Sequence, residues 1–203
     1  MALANYSDLS AAITSWSGRS DLTSTQIDQY VALCEAQLNR ELACEQMIAA
    51  EALITTDGNG RYALPADYLQ MSMFRTNANP SRPVSEVSRE TGIVMRSGAQ
   101  TYGYSINGGY IYTWPAAAAA TFYMSYYANI PGLTVSNTTN WLMTAHPDVY
   151  LYGTLLQATA FVRDDRVPLW KEAYLAAIQS IRGAETRRQW AAHSLASYVP
   201  NAI

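Results

Sequence analysis

A long apolar segment in the last third of the chain constrains the fold most. It begins at Pro147, a residue that favours the first position of a helix, and residues 149–161 place apolar side chains around most of a helical circumference. Other elements must cover such a helix, so we expect it to lie in the centre of a core. A second amphipathic helix is predicted over residues 169–181, after Pro168.

The N-terminal part of the chain also has helical patterns. Apolar residues after Ser7 keep helical spacing as far as Trp16, and Gly18 would end this short helix. From Thr25 onwards apolar residues recur in steps of three and four, which predicts one long helix to about Ala49. The chain is therefore expected to have helices at both ends.

The middle of the chain changes to strand patterns. Residues 53–56 and 61–64 flank a turn sequence and predict a hairpin, and residues 69–76, 84–87 and 92–96 are further strand candidates. Together with the terminal helices, these strands predict an α+β fold. Its predicted parts are a helical bundle of residues 1–50 and 140–192, an inserted antiparallel β-rich layer of residues 51–139, and a C-terminal tail of residues 193–203.

The clearest hairpin surrounds residues 107–109. If all three residues form the loop, Tyr104 lies opposite Tyr112 and Ile106 opposite Tyr110, whereas a two-residue loop would divide the aromatic residues between the two faces. We favour the three-residue loop because the small residues then share the other face. This register would build an aromatic wall on one face from Tyr102, Tyr104, Tyr110, Tyr112 and Trp114.

A low content of charge limits the possible partners. Charged residues make up 14% of the chain, Lys171 is the only lysine, and 15 residues are tyrosine, a surface that suits protein partners. The formal net charge of -3 and the isoelectric point near 5.3 argue against non-specific binding of nucleic acid, which needs many cationic contacts with phosphate. Neither an apolar run of membrane-spanning length nor a secretory signal pattern is present, so we expect no membrane association and a cytosol-like compartment.

The sequence contains no recognisable catalytic or metal-binding motif. His146 and His193 have no Cys, Asp or His at the spacing of a zinc site, and we interpret Cys34 and Cys44 as packing residues. The glycine-rich turns lie between strands, whereas phosphate loops join a strand to a helix and carry Lys. We therefore predict that the protein is not an enzyme and that it binds neither a cofactor nor a metal.

Two surfaces remain as candidates for binding. The aromatic wall could stack on sugars, pack in the chain's own core, or bury against another subunit, and the exposed loop that carries Asn79 and Arg82 is a further candidate contact. The second surface is the end of the last helix, where cations either suit the helix dipole or dock on an acidic partner. Its residues are Arg182, Arg187, Arg188, Trp190 and Tyr198.

Short motifs in a fixed order carry a resemblance to a known family. They are the turn of residues 19–22, the Asn-Arg-Glu-Leu step of residues 39–42, Leu-Pro-Ala-Asp-Tyr-Leu at residues 64–69, and Pro-Asp-Val-Tyr-Leu-Tyr-Gly at residues 147–153. In this order the chain resembles the head-to-tail adaptor, or head completion, proteins of tailed bacteriophages. Where relatives often carry Arg after the Leu of the second motif, this chain has Ala43.

The resemblance implies a structural virion protein at the head-tail junction, assembled in the host cytoplasm. Such adaptors form a ring of about twelve subunits below the portal, extend the DNA channel and present a platform for the tail or nozzle. By the same resemblance residues 182–203 would hold the portal protein, loops of the β-rich layer would face the tail, and genomic DNA would pass through the channel without specific binding. The alternative is a virion module that binds a host glycan or receptor through the aromatic wall.

Overall fold

The chain has a mixed α+β fold made of two compact units. The computed structural model describes residues 3–94, 103–116, 119–159 and 164–196. One unit comprises Met1–Gln46 and Ile130–Ile203, and the other comprises Met47–Asn129. We call them the helical unit and the β unit after the elements they contain.

The helical unit is arranged around one apolar helix. Its helices are α1 (Tyr6–Ser17), α2 (Ser24–Glu41), α4 (Trp141–Ala145), α5 (Pro147–Ala158) and α6 (Val167–Ala196). Helix α5 contacts each of the other four, and Val149, Tyr150 and Leu155 on it are completely buried. The segment that the sequence marks as apolar on most sides is therefore the one that its neighbours cover.

Local side-chain caps fix where these helices begin. Thr23 forms a capping box with Gln26, in which each side chain bonds the backbone N–H of the other residue. The side chains of Asn5 and Asn140 accept backbone N–H groups in the first turns of α1 and α4. Gly18 ends α1 in the left-handed conformation, with φ 68°, as its position predicts.

The long helix predicted to reach Ala49 is shorter in the structure. Helix α2 ends at Glu41, Leu42 is extended, and a short 3-10 helix follows at Glu45–Met47. Leu42 and Cys44 are buried while Ala43 between them is exposed, an alternation that belongs to extended chain. The prediction was wrong because Leu42 keeps the four-residue step from Leu38, so the apolar spacing alone does not mark the end of the helix.

Helix α6 is longer than its sequence pattern indicates. The apolar spacing weakens at Gly183, yet the helix continues to Ala196. The first four residues assigned by sequence to the tail, residues 193–196, therefore belong to α6, and residues 197–203 lie outside the described part of the chain. A glycine within a helix costs about 1 kcal/mol relative to alanine, which a helix of 30 residues can absorb.

The β unit contains two sheets among its described residues. Their strands are β1 (Ala52–Thr55), β2 (Arg61–Ala63), β3 (Tyr68–Thr76), β4 (Ser85–Glu86), β5 (Gly103–Asn107), β6 (Tyr110–Trp114) and β7 (Thr121–Ala128). The first sheet has the order β1-β7-β3 and the second has the order β2-β6-β5-β4. All pairs are antiparallel except β4 with β5, which is parallel and so departs from the predicted antiparallel layer.

Two local predictions in the β unit were wrong. Strands β1 and β2 do not pair with each other, because the turn at residues 57–60 carries the chain from one sheet to the other. Residues 92–94 belong to helix α3 (Arg89–Val94) rather than to a strand; residues 95–96 of that strand candidate lie outside the described residues. The Ser88 hydroxyl accepts the backbone N–H of Thr91 and thereby caps α3.

The register of the aromatic hairpin also differs from the prediction. Asn107 pairs with Tyr110, so the loop contains only Gly108 and Gly109, whose φ angles are 57° and 79°. Two consecutive positive φ angles define a type I′ turn, which only glycine and a few polar residues adopt readily. Tyr104 now lies opposite Thr113, and the aromatic residues divide between the two faces of the sheet.

A close contact between helices rests on Gly153 in α5. A Cβ atom at this position would lie 2.6 Å from Cys34 Sγ on α2 and 3.0 Å from the Tyr174 ring on α6. We expect Gly153→Ala to lower the free energy of unfolding by about 2 kcal/mol, because the packed neighbours must move. Urea unfolding followed by circular dichroism measures this change.

Gly183 in α6 supplies the matched control. A Cβ atom there would meet only Arg187 Nη1, at an ordinary 3.7 Å. Gly183→Ala should therefore raise the free energy of unfolding by about 0.5–1 kcal/mol through helix propensity alone. Equal effects of the two substitutions would show that α5 does not pack as described.

Candidate interaction surfaces

Tyr104 belongs to the core of the β unit and not to a surface. Its side chain is 6% exposed, and its ring centroid lies 5.0 Å from that of Phe74 in an edge-on contact. Burial raises the pKa of Tyr104 to about 12, and the nearby Glu86 carboxylate adds to the shift. Tyr102, the other wall residue on this side of the hairpin, lies outside the described residues.

The remaining members of the predicted wall form a row along β6. The ring of Tyr112 lies 6.4 Å from the ring of Tyr110 on one side and 6.4 Å from the ring of Trp114 on the other. Trp114 is buried, and its indole N–H donates to Ser105 Oγ at 2.8 Å. Only Tyr110 and Tyr112 of this row are accessible to a partner.

An arginine extends the accessible end of this row. The Arg61 guanidinium lies 5.1 Å from the centre of the Tyr110 ring, and its Nε donates to Asp57 Oδ2 at 2.7 Å. Hydrogen bonding to Arg61 lowers the pKa of Asp57. The cation is thus already paired, which leaves a neutral aromatic patch rather than a charged site.

The loop of residues 77–83 projects from the β unit. Asn79 and Arg82 are both exposed, and the Asn79-Pro80 peptide bond is cis. The loop is held at its base, where the Thr76 N–H donates to the Arg82 carbonyl at 2.9 Å. The Arg82 side chain has no ion pair with another described residue, so its charge faces outward.

The end of α6 separates into structural and accessible side chains. Arg182 donates to the Glu41 carbonyl oxygen at the C-terminus of α2 at 2.6 Å, and Arg188 forms ion pairs with Glu45 and Glu185. Arg187 is exposed, and Trp190 is 74% exposed. Of the predicted cluster, therefore, only these last two are available to a partner among the described residues; Tyr198 lies outside them.

Sequence reasoning missed a buried polar network in the helical unit. Glu35 Oε1 on α2 accepts the Leu133 N–H at 2.7 Å and the Tyr150 hydroxyl at 3.2 Å. The Asn140 amide donates to the Tyr150 hydroxyl and to the Pro131 carbonyl oxygen, each at 2.7 Å. The sequence signalled only the cap residue Asn140. Glu35 lies on the polar side of α2, which the sequence pattern predicts to be exposed to solvent.

Burial governs the ionisation of this network. It raises the pKa of Glu35, and the hydrogen bonds from Leu133 and Tyr150 offset part of the effect. Burial also raises the pKa of Tyr150, with a further contribution from the Glu35 charge, so the phenol stays protonated and donates. The network can therefore position a segment of chain, but it contains no nucleophile and no metal ligand set.

The described residues form neither a metal-binding cluster nor a membrane-spanning helix. No group of three or more His, Cys, Asp or Glu side chains in residues 3–94, 103–116, 119–159 and 164–196 could hold a metal ion. No described helix has the length and apolar character required to cross a membrane.

Comparison with known proteins identifies one family. A protein-family model described as SU10 adaptor protein matches residues 4–198. No curated protein matches the chain. The family match spans both compact units and both candidate surfaces.

Proposed function

Because the chain belongs to the SU10 adaptor protein family, we propose that it is a structural virion protein that joins the capsid of a bacteriophage to its tail. About twelve copies form a ring between the portal and the tail or nozzle, and the ring extends the DNA channel. The observation that carries this proposal is the family match over nearly the whole chain, together with the head-to-tail adaptor motifs in the same order. The helical unit forms a bundle in each subunit of this ring.

The surface chemistry supports an assembly role. Charged residues are only 14% of the chain, while Val135, Leu169 and Trp190 are more than half exposed. A subunit with a neighbour on each side and a partner at each end buries such residues. The net charge of -3 suits a channel through which DNA passes without specific binding, because phosphate finds few cations there.

The two accessible surfaces take different partners in this proposal. Arg187 and Trp190 at the end of α6 contact the portal protein, since an exposed cation beside an exposed indole is a common anchor of protein interfaces. Tyr110 and Tyr112 on β6, with the loop that carries Asn79 and Arg82, contact a neighbouring subunit or the tail. The burial of Tyr104 and Trp114 argues against glycan binding by this hairpin, because neither ring is free to stack on a sugar.

A binding experiment tests the portal contact. We expect Arg187→Glu combined with Trp190→Ala to weaken binding to purified portal rings at least tenfold, because both accessible anchors are lost. Melting temperature should not change, since both side chains are exposed. The readout is co-sedimentation with portal rings across a concentration series.

The control is Arg89→Glu, which reverses an exposed cation on α3 in the β unit. It should bind portal rings as the unchanged protein does. Full binding by the α6 double variant would remove this surface from the proposal, and loss of binding by the control would show that net charge alone matters.

A further inference from the structure

A groove lies within the helical unit between α2 and the connecting segment of residues 130–139. Its volume is about 630 Å³, and its lining includes Asp28, Ala32, Glu35 and residues 132–136. Val135, which belongs to this lining, is 80% exposed. The groove therefore combines acidic side chains with an exposed apolar residue.

The connecting segment is held in place by hydrogen bonds at several points. The Ile130 N–H donates to Asn39 Oδ1 at 2.9 Å, and the Leu133 N–H donates to Glu35 Oε1 at 2.7 Å. Its far end accepts the Tyr6 N–H at the Thr138 carbonyl oxygen at 2.8 Å. The groove is thus formed before any partner arrives, which lowers the entropy cost of binding.

The two carboxylates of the groove lack a counter-charge. Asp28 accepts a hydrogen bond from the Tyr6 hydroxyl, and Glu35 accepts from Leu133 and Tyr150. Neither forms an ion pair with a cation of the described residues. Asp28 is exposed and Glu35 is partly buried, and a carboxylate without a counter-charge attracts an ammonium or guanidinium group from outside.

Lys171 near the start of α6 has the complementary properties. It is the only lysine of the chain, it is exposed, and it forms no ion pair with another described residue. Leu175, one turn further along the same face of α6, is 45% exposed. One surface of the helical unit thus offers an unpaired cation with an apolar neighbour, and another offers unpaired carboxylates with an apolar neighbour.

We propose that the groove receives Lys171 of a second copy of this chain, with the ammonium group against Asp28 or Glu35 and the side chains of Val135 and Leu175 packed beside it. Two different patches of one subunit then meet, and such a heterologous contact repeats and closes into a ring when its rotation permits. This inference rests on the ring of the proposed function and assigns residues to its subunit interface.

Zero-length cross-linking of purified virions tests the contact directly. A carbodiimide activates a carboxylate, and an amine in contact with it then forms the amide and displaces the urea; Lys171 is the only lysine of this chain. We expect covalent multimers of the chain, with an amide between Lys171 and Asp28 or Glu35 identified by mass spectrometry. Multimers joined through other carboxylates, or no multimers in virions whose ring is visible by microscopy, would overturn the inference.

Substitutions separate the charge from the reactive amine. Lys171→Arg keeps the charge and should allow assembly while abolishing the cross-link. Lys171→Glu should reduce the yield of tailed particles at least tenfold, and Asp28→Lys in the same chain should restore it. If Lys171→Glu assembles normally, the interface assignment fails while the adaptor role stands; virions without any ring of this protein would instead contradict the proposed function.

Discussion

Replacing Tyr104 with alanine is expected to lower the free energy of unfolding of the β unit by about 3–5 kcal/mol, the usual cost of removing a buried aromatic side chain. Tyr104 packs edge-on against Phe74, which stacks in turn on Phe122 with ring centroids 5.0 Å apart. Truncation at Tyr104 would open a cavity beside this aromatic cluster. The effect is one of packing, so it follows from the register of the hairpin.

Two control variants make this prediction specific. Tyr104→Phe should cost less than about 1 kcal/mol, because the hydroxyl lies 3.5 Å from Glu86 Oε2, too far for a strong hydrogen bond. Tyr110→Ala should also cost less than about 1 kcal/mol, since this side chain is exposed and loses little beyond its contact with Arg61. Thermal and urea unfolding measure all three. Equal losses of unfolding free energy for Tyr104→Ala and Tyr110→Ala would indicate that both rings lie on one accessible face, and would contradict the observed register.

Replacing Glu35 with alanine is expected to lower the free energy of unfolding of the helical unit by about 3 kcal/mol. The substitution leaves the Leu133 N–H and the Tyr150 hydroxyl without their acceptor, and each buried donor that loses its partner costs about 1–3 kcal/mol. Glu35→Gln keeps an acceptor oxygen at the same place. It should therefore cost far less than the alanine variant.

The pH dependence distinguishes glutamate from glutamine at this position. The pKa of Glu35 is raised above its ordinary value of 4.5 in the folded protein, so the folded state holds the proton more tightly than the unfolded chain does. The contribution of this group to the free energy of unfolding is fully present below pH 4.5 and is lost as pH rises through the raised pKa. Glu35→Gln removes this loss, so its stability relative to the unchanged protein should increase between pH 4 and pH 7.

Urea unfolding of both proteins at several pH values in this window measures the free energy of unfolding of Glu35→Gln minus that of the unchanged protein. If this quantity does not change with pH, Glu35 is ordinarily solvated. If it decreases as pH rises, a cation faces the carboxylate and lowers its pKa. The second outcome in the assembled ring, but not in the free subunit, would agree with an incoming Lys171.

Local patterns predicted the helices where one segment carries its own signals. Pro147 marks the start of α5, Gly18 marks the end of α1, and the apolar run of α5 marks a helix that its neighbours cover. These signals act within a few residues and do not depend on partners elsewhere in the chain. The α+β class followed from the change of hydrophobic period between the ends and the middle.

Predictions failed where the outcome depends on distant contacts. The turn at residues 57–60 forms, but strand pairing with β7 and β6 separates β1 from β2. The two-residue loop of the aromatic hairpin follows from both glycines adopting positive φ, a choice that the surrounding sequence does not dictate. The Glu35 network joins residues 98 and 115 positions apart, a separation that no periodicity reveals.

Cryo-electron microscopy of the purified virion tests the adaptor role most directly. We expect a closed ring of about twelve copies of this chain between the portal and the tail or nozzle, with Arg187 and Trp190 of each copy on the portal. Density for the chain at a fibre tip or on the outer surface of the capsid, with no ring below the portal, would contradict the adaptor role.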